Sequence, residues 1–496
     1  MNFVAVFDAG KDSMSTARRV VRNTSYQLLA RVATVAIGAV TSILTARYLG
    51  ASSFGVLGFG LAFTAIFGLV VDFGLNMLTT REVARNPALA SKYLANIVVM
   101  RLFLGGAVVA LIALLVSVMA YPPQTIYVTF IISLSVVINT VAGTIASLFQ
   151  AFQKMQYVAI GWLVTSVLML AGIVGAIVLR LDVVSFAYVY VFANAMTFIY
   201  FCAVYGAQYR IKRPEIDWSF WRFTLQEAWP MAALSISVMV YFRIDVIILS
   251  VFQGAAQIGL YTVAYTLSET SIIIPTVFMA SLFPLISQMH ENSKRSFAET
   301  CAKSVKYMLY IALPMAFTVT LWAVPVITIF YGNAFTGSAV ALQIIIWSAA
   351  AMYVGIVLGN AFVSANLQKL SMKITLGAAA FNIILNVLII PTYGYLGASA
   401  TTVATEAFIL CISFFFLERH GYPLDLRKTI KPPFFGLAII SVTAAVLFTL
   451  KVHLVLITAI ALIVYVAIVW KLGLDEEDKK LILSLRKSPQ PAITKT

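Results

Sequence analysis

The chain has 496 residues, 34 Lys and Arg against 19 Asp and Glu, a formal charge of +15, and 61% hydrophobic but only 11% charged residues. A soluble domain carries about 25% charged residues, so with a mean hydropathy of +0.95 the solvent for most of this chain is the bilayer. That excludes a soluble enzyme, a disordered protein and a nucleic-acid binder, despite a pI near 9.6.

Residues 1–22 lack an apolar core long enough for a signal peptide, and Met14, just ahead of Arg18 and Arg19, offers an alternative start. A helix needs roughly 20 mainly apolar residues to cross the hydrocarbon. The punctuation of the sequence predicts fourteen such spans, hence an all-α polytopic membrane protein. The first six lie near 24–49, 55–78, 93–119, 125–149, 157–179 and 184–204. The next six lie near 228–251, 257–287, 304–330, 339–365, 371–391 and 396–417, and two more near 433–450 and 454–471. The outer connections are short, as at Tyr121-Pro122-Pro123-Gln124, and no loop is long enough to fold as a domain.

With the N-terminus inside, 28 of the 34 Lys and Arg fall on the inner side or at inner helix ends, and only Arg180 and Lys451 fall outside. The positive-inside rule therefore places both termini in the cytoplasm. The charge excess is then a matter of topology and attraction to anionic lipid, not of nucleic acid.

The sequence echoes itself. Gly50-Ala51-Ser52-Ser53-Phe54-Gly55 follows span one and Gly254-Ala255-Ala256-Gln257-Ile258-Gly259 follows span seven, an offset of 204. Gln153-Lys154-Met155 and Gln368-Lys369-Leu370 follow spans four and ten. Small residues also suit tight outer turns for purely local reasons, but two echoes in order at equivalent places predict a duplicated unit of six spans. Six is even, so the halves keep one orientation, the parallel-repeat arrangement whose site lies between the halves near the midplane. The expected organisation is a cytoplasmic segment at 1–22, a first lobe at 23–206 and a linker at 207–227. A second lobe at 228–418, two further spans at 419–472 and a cytoplasmic tail at 473–496 complete it.

Eight ionisable residues fall inside the spans: Arg31, Arg47, Arg101, Arg243, Asp72, Asp245, Glu269 and Glu406. Each costs about 2.5–3.5 kcal/mol at a helix centre on insertion scales, so they must be paired or face an aqueous cavity. Folding spans two and three together sets Asp72 level with Arg101, a structural ion pair. Arg47 reaches the outer boundary and snorkels. Glu406 falls near Asn382, which fits either a satisfied polar contact or a protonatable switch. Gln27, Arg31, Thr34, Gly38, Thr41 and Thr45 recur at intervals of three and four, one helical stripe too polar to face lipid. Tyr261, Tyr265 and Glu269 repeat at four in span eight, with Pro275 beyond them, and reflecting span seven onto span eight sets Arg243 opposite Tyr265. Arg31 and Arg243, with Gln27, Thr34, Tyr261 and Tyr265, are the candidate substrate-binding residues, because a guanidinium grips phosphate oxygens bidentately. An Arg243–Glu269 ion pair is the competing structural reading. Glu269 and Glu406 are the candidate coupling acids. Cys202, Cys301 and Cys411 have no metal-like spacing, and no metal site or cofactor is expected.

With these residues in view, the chain resembles the polysaccharide-transporter family of prokaryotic flippases, in the superfamily that also holds lipid II flippases and multidrug and toxic compound extruders. The resemblance runs through Tyr48-Leu49-Gly50 with Phe54-Gly55, Gly74-Leu75 and Thr80-Arg81-Glu82-Val83-Ala84-Arg85. It continues through Gly259-Leu260-Tyr261, Leu282-Phe283-Pro284-Leu285-Ile286-Ser287, Asn382 and Asn386 before Ile390-Pro391, and Gly397-Ala398-Ser399-Ala400-Thr401. It covers spans one to twelve in order. It implies a two-lobed alternating-access transporter in a prokaryotic inner membrane. Such a protein moves a polyprenyl-(di)phosphate-linked oligosaccharide from inner to outer leaflet and has membrane lipids and polysaccharide-assembly proteins as partners. A membrane glycosyltransferase fits poorly, since it needs acids and bases near the outer leaflet and the outer loops carry only Arg180, Asp182, Lys451 and His453 of that kind. A drug exporter of the same superfamily is the rival; it favours acidic lining and usually stops at twelve spans.

Overall fold

A computed structural model describes residues 3–209 and 216–474, together with Glu476 and Lys479. The expected linker at 207–227 and tail at 473–496 therefore fall partly outside the described residues. Among those residues every regular element is a helix. The α-helices are α1 (Phe3–Asp72), α2 (Leu75–Arg85), α3 (Ala90–Val118), α4 (Pro123–Ala151), α5 (Met155–Val178), α6 (Val183–Gln208) and α7 (Trp218–Phe252). After them come α8 (Ala255–Thr270), α9 (Ile273–Asn292), α10 (Lys294–Phe330), α11 (Ser338–Ser364), α12 (Gln368–Arg419), α13 (Leu426–Thr449) and α14 (Leu454–Ile468).

Twelve stretches among the described residues are long and apolar enough to cross a membrane. Two of them, Leu29–Arg85 with 57 residues and Gln368–Arg419 with 52, are about twice the needed length, and each covers two of the expected spans. Helical hydrogen bonding resumes directly after a single non-helical residue in each, Gly50 (φ 71°) and Gly394 (φ 54°). Positive φ carries no Cβ penalty at glycine, so the break needs no loop. Expected spans two and eight are in turn each interrupted. Phe73 and Gly74, both at positive φ, separate α1 from α2. Ser271 and Ile272 separate α8 from α9, and Pro275 in the first turn of α9 has no N–H to donate to the Ser271 carbonyl four residues back, with which its ring would clash.

The helix ends are closed by the chain itself. At Gln153, Arg180, Asn366 and Lys451 the backbone turns left-handed, with φ between 54° and 59°. The next amide then reaches back to a carbonyl of the last turn, Lys154 to Phe149 at 2.8 Å and Leu367 to Phe362 at 2.8 Å. These are Schellman turns, which satisfy orphan carbonyls without extra residues. Asp217 caps α7, accepting from the Ser219 and Phe220 amides at 3.0 and 3.2 Å, while Lys92 Nζ donates to its other oxygen at 2.8 Å. The Lys92 bond, with these caps, holds the Asp217 carboxyl well below the usual carboxylate range.

The chain divides into two compact units. The first comprises Met1–Ile273, Pro325–Ala341 and Met372–Thr405, the second Ile274–Val324, Leu342–Ser371 and Glu406–Thr496. The core of the first gathers Leu75, Leu78, Ile97, Met100, Leu148 and Phe149, all nearly or fully buried. In the second, α13 and α14 pack through Ile440, Ala444, Ile457, Ala461 and Tyr465 onto Phe317 of α10, and Tyr310 donates to the Gly473 carbonyl at 2.8 Å. Within the first unit, α1 crosses α8 at van der Waals distance. A Cβ on Gly55 would lie 1.8 Å from the Ala255 carbonyl oxygen, and a Cβ on Gly259 would lie 2.0 Å from that of Ala51. Gly55 and Gly259, and likewise Ala51 and Ala255, are related by the offset of 204 noted in the sequence. Only glycine permits this backbone-to-backbone approach.

Candidate functional site

Inside the first unit a cavity of about 480 Å³ is enclosed by α1, α5, α6, α7 and α8. Helix α1 contributes on both sides of its break at Gly50: Gly38, Thr41, Ser42 and Thr45 before it, Phe54, Leu57 and Gly58 after it. Of these, Gly38, Thr41 and Thr45 belong to the polar stripe of span one. Thr41 and Thr45 donate to the Ile37 and Thr41 carbonyls at 2.8 and 2.7 Å, so each offers its oxygen lone pairs to the cavity. Thr262 does the same on α8, donating to Ile258 at 2.7 Å. Ten of the twenty-two lining residues carry a hydroxyl.

Among the described residues, two charged side chains are in the lining, Arg243 and Glu269. Arg243 Nη2 lies 3.6 Å from Glu269 Oε1, an ion pair rather than a hydrogen bond. The guanidinium carbon stands 5.5 Å from the centroid of the Tyr265 ring, within cation–π range. Tyr265 and Glu269 stand one turn apart on α8, so that single helix holds the cation from two sides. The two side chains keep 31% and 45% of their surface exposed, which leaves the guanidinium edge open to a solute.

The structure thus brings together Arg243, Tyr261, Tyr265 and Glu269. It does not bring Arg31 to the same lining: Arg31 is exposed, and Gln27 and Thr34 are half-buried further along α1. Thr34 donates to the Arg31 carbonyl at 2.9 Å. Glu406 is buried, at 4% exposure, and also lies outside the lining. Arg47 Nη1 reaches the Ile329 carbonyl at 3.3 Å. Arg101 is fully buried: Nη2 binds Asp72 Oδ1 at 2.5 Å, and Nη1 donates to Thr144 Oγ1 at 2.6 Å and to the Thr140 carbonyl.

Beside the cavity stands a buried polar network around Asp245, a residue to which the sequence assigns no partner. Asp245 accepts from Tyr261 OH at 2.8 Å, Thr402 Oγ1 at 3.0 Å and Asn386 Nδ2 at 2.6 Å. Asn386 also donates to Asn382 Oδ1 at 2.9 Å and accepts from Thr401 Oγ1 at 2.5 Å, while Asn382 donates to Thr405 Oγ1 at 3.1 Å. Asn382 is therefore satisfied by Thr405 and Asn386. The signal for this network is Asn382 and Asn386 four apart in one apolar span, facing Thr401, Thr402 and Thr405 in the next. Tyr261 belongs to both places, its ring in the cavity wall and its hydroxyl on Asp245. Among the described residues no group of three or more His, Cys, Asp or Glu is placed to hold a metal ion.

Comparison with known proteins agrees with this architecture. Residues 20–290 match the profile of the polysaccharide biosynthesis protein family, and residues 230–388 match that of MatE. The probable low-salt glycan biosynthesis flippase Agl15 of Haloferax volcanii is 23% identical over 174 residues, a match spanning 35% of this chain and 37% of that protein. The structure of the lipid II flippase MurJ in an inward closed conformation superposes with a TM-score of 0.71 at 13% identity, covering 89% of this chain and 97% of that one. An inward-facing multidrug resistance MATE family transporter superposes at 0.66 and 14% identity, covering 79% and 98%. At such identities the solved structures establish the fold. The first profile covers more than half of the 496 residues, and the chain belongs to the polysaccharide biosynthesis protein family.

Proposed function

We propose that this protein is a flippase that carries a polyprenyl-phosphate-linked oligosaccharide from the inner to the outer leaflet by alternating access, without chemistry on its substrate. The observation that carries this reading is the cavity itself. A single arginine is held open to solute among ten hydroxyl-bearing residues, a combination suited to phosphate beside sugar. Arg243 binds the phosphate, Tyr265 orients the guanidinium, and the threonine oxygens accept from sugar hydroxyls. The family match and the likeness to a named glycan flippase support the same reading.

Around this site the remaining assignments follow the sequence. Two six-span lobes at 23–206 and 228–418 rock about the cavity, and residues 419–472 add two further spans, fourteen in all. Both termini lie in the cytoplasm of a prokaryotic cell, where polysaccharide-assembly enzymes supply the substrate. Glu269, paired with Arg243, and the buried Glu406 are the acids that couple the cycle to protons. Arg31, on the same helix as the lining threonines, meets the substrate at another stage of the cycle. A drug exporter remains the second reading, favoured by the MatE match over residues 230–388 and by an acid in the cavity.

The test is complementation of a cell lacking its lipid-linked oligosaccharide flippase. Arg243→Gln at normal abundance should leave the oligosaccharide on the inner leaflet, and Arg243→Lys should restore part of the flux, since it keeps charge without the fork. Full activity of Arg243→Gln would remove this residue from the substrate site.

A further inference from the structure

We propose that the cavity accepts a head group joined to its lipid through one phosphate rather than two, and that Glu269 sets this limit. The proposal deepens the flippase reading and rests on it.

The starting observation is a charge balance. Among the described residues lining the cavity, Arg243 is the one cation and Glu269 the one anion. Asp245 turns away from the cavity, with three donors on its two carboxylate oxygens. Arg31, the second cation a diphosphate would use, is outside this lining. A lipid–phosphate–sugar is a phosphodiester with one negative charge, whereas the corresponding diphosphate carries two. A guanidinium fork pairs with two oxygens of a single phosphate; with Glu269 beside it the lining is neutral, so one phosphate adds a single charge that Arg243 can hold, and a diphosphate adds two. In the second case the remaining phosphate has no cation in the lining and meets the Glu269 carboxylate, which stands only 3.6 Å from the guanidinium. Like charges brought together there disfavour the diphosphate and serve to reject the wrong partner.

The neutral part of the lining points the same way. Thr41, Thr45 and Thr262 spend their protons on their own helix, so toward the cavity they are acceptors. Acceptors suit sugar hydroxyls, which donate, and do nothing for a second phosphate, which also only accepts. Beyond Arg243 these threonines thus offer acceptors for the sugar and no further charge-assisted donor.

The experiment uses the full-length protein reconstituted in vesicles. The probes are two fluorescent short-chain lipids, a polyprenyl phosphate glucose and the matching polyprenyl diphosphate glucose, and the measurement is the rate at which each crosses the bilayer. The wild type should move the monophosphate at least roughly tenfold faster. Glu269→Gln should shrink that ratio, since any loss of coupling slows both lipids alike, while Glu269→Asp, which keeps the charge, should preserve it. Equal rates for both lipids in the wild type, or a ratio unchanged by Glu269→Gln, would overturn the one-phosphate limit and leave the flippase reading intact. Movement of neither lipid, with export of a cationic dye by the same vesicles, would overturn both.

Discussion

Arg101 exposes none of its surface, and its guanidinium is divided between Asp72, Thr144 and the Thr140 carbonyl. Arg243 keeps a third of its side chain open beside Glu269. The same residue type therefore stands in two environments, one closed around the charge and one open to a solute. Removing one partner of a buried pair strands the other at about 3–5 kcal/mol. Arg101→Gln should lower the unfolding free energy of the detergent-solubilised protein by about that amount, and adding Asp72→Asn should recover part of it. A variant as stable as the wild type would show that Asp72 is satisfied without Arg101. Neighbouring residues in sequence made the Arg243 cluster legible: spans seven and eight are joined by the short turn at Gly254, so reflecting one on the other nearly fixes their register. The Asp245 network was not legible in the same way, because Asn386 and Thr402 lie 141 and 157 residues from Asp245, and no local periodicity reports such a pairing. The depth of Arg31 is a third case. Spacing fixes the face of α1 it occupies but not where along that face the cavity ends.

At the scale of elements, the reciprocal approach of α1 and α8 at Gly55 and Gly259 gives the sharpest expectation. An added methyl at either position would meet a backbone carbonyl near 2 Å, far inside van der Waals distance, and no side-chain rotation relieves it. Gly55→Ala and Gly259→Ala should each destabilise by about 1–3 kcal/mol, the usual cost of overpacking. The double variant should cost less than their sum, because one parting of the two helices accommodates both methyls. Gly254→Ala is the control, since nothing lies within 4 Å of its added Cβ and its φ of −80° suits alanine. Thermal unfolding in detergent measures all four, and wild-type stability of both single variants would contradict the close crossing. The sequence announces glycine at these positions through its echo but not that the two copies meet. The helix breaks are legible in part: Gly50 falls where spans one and two are expected to part, and Pro275 marks the break at Ser271–Ile272, but hydropathy does not show that one glycine makes the first turn without a loop, inside a stretch of 57 residues.

Across the whole molecule, composition decides the class before any motif does: 11% charged residues cannot cover a soluble surface of this length. What composition cannot decide is cargo, and the proposed site rests on a few side chains around about 480 Å³. The account's central claim is that this cavity passes a phosphate-linked glycan across the bilayer. The most direct measurement places the purified protein in vesicles containing a polyprenyl-phosphate-linked glycan and follows its exposure to an impermeant glycan-cleaving enzyme added outside. Protein-free vesicles should expose only the outer-leaflet share, and vesicles carrying the protein should expose nearly the whole pool. An outer-leaflet share unchanged by the protein, while a cationic dye is transported by the same vesicles, would contradict the account and favour the exporter.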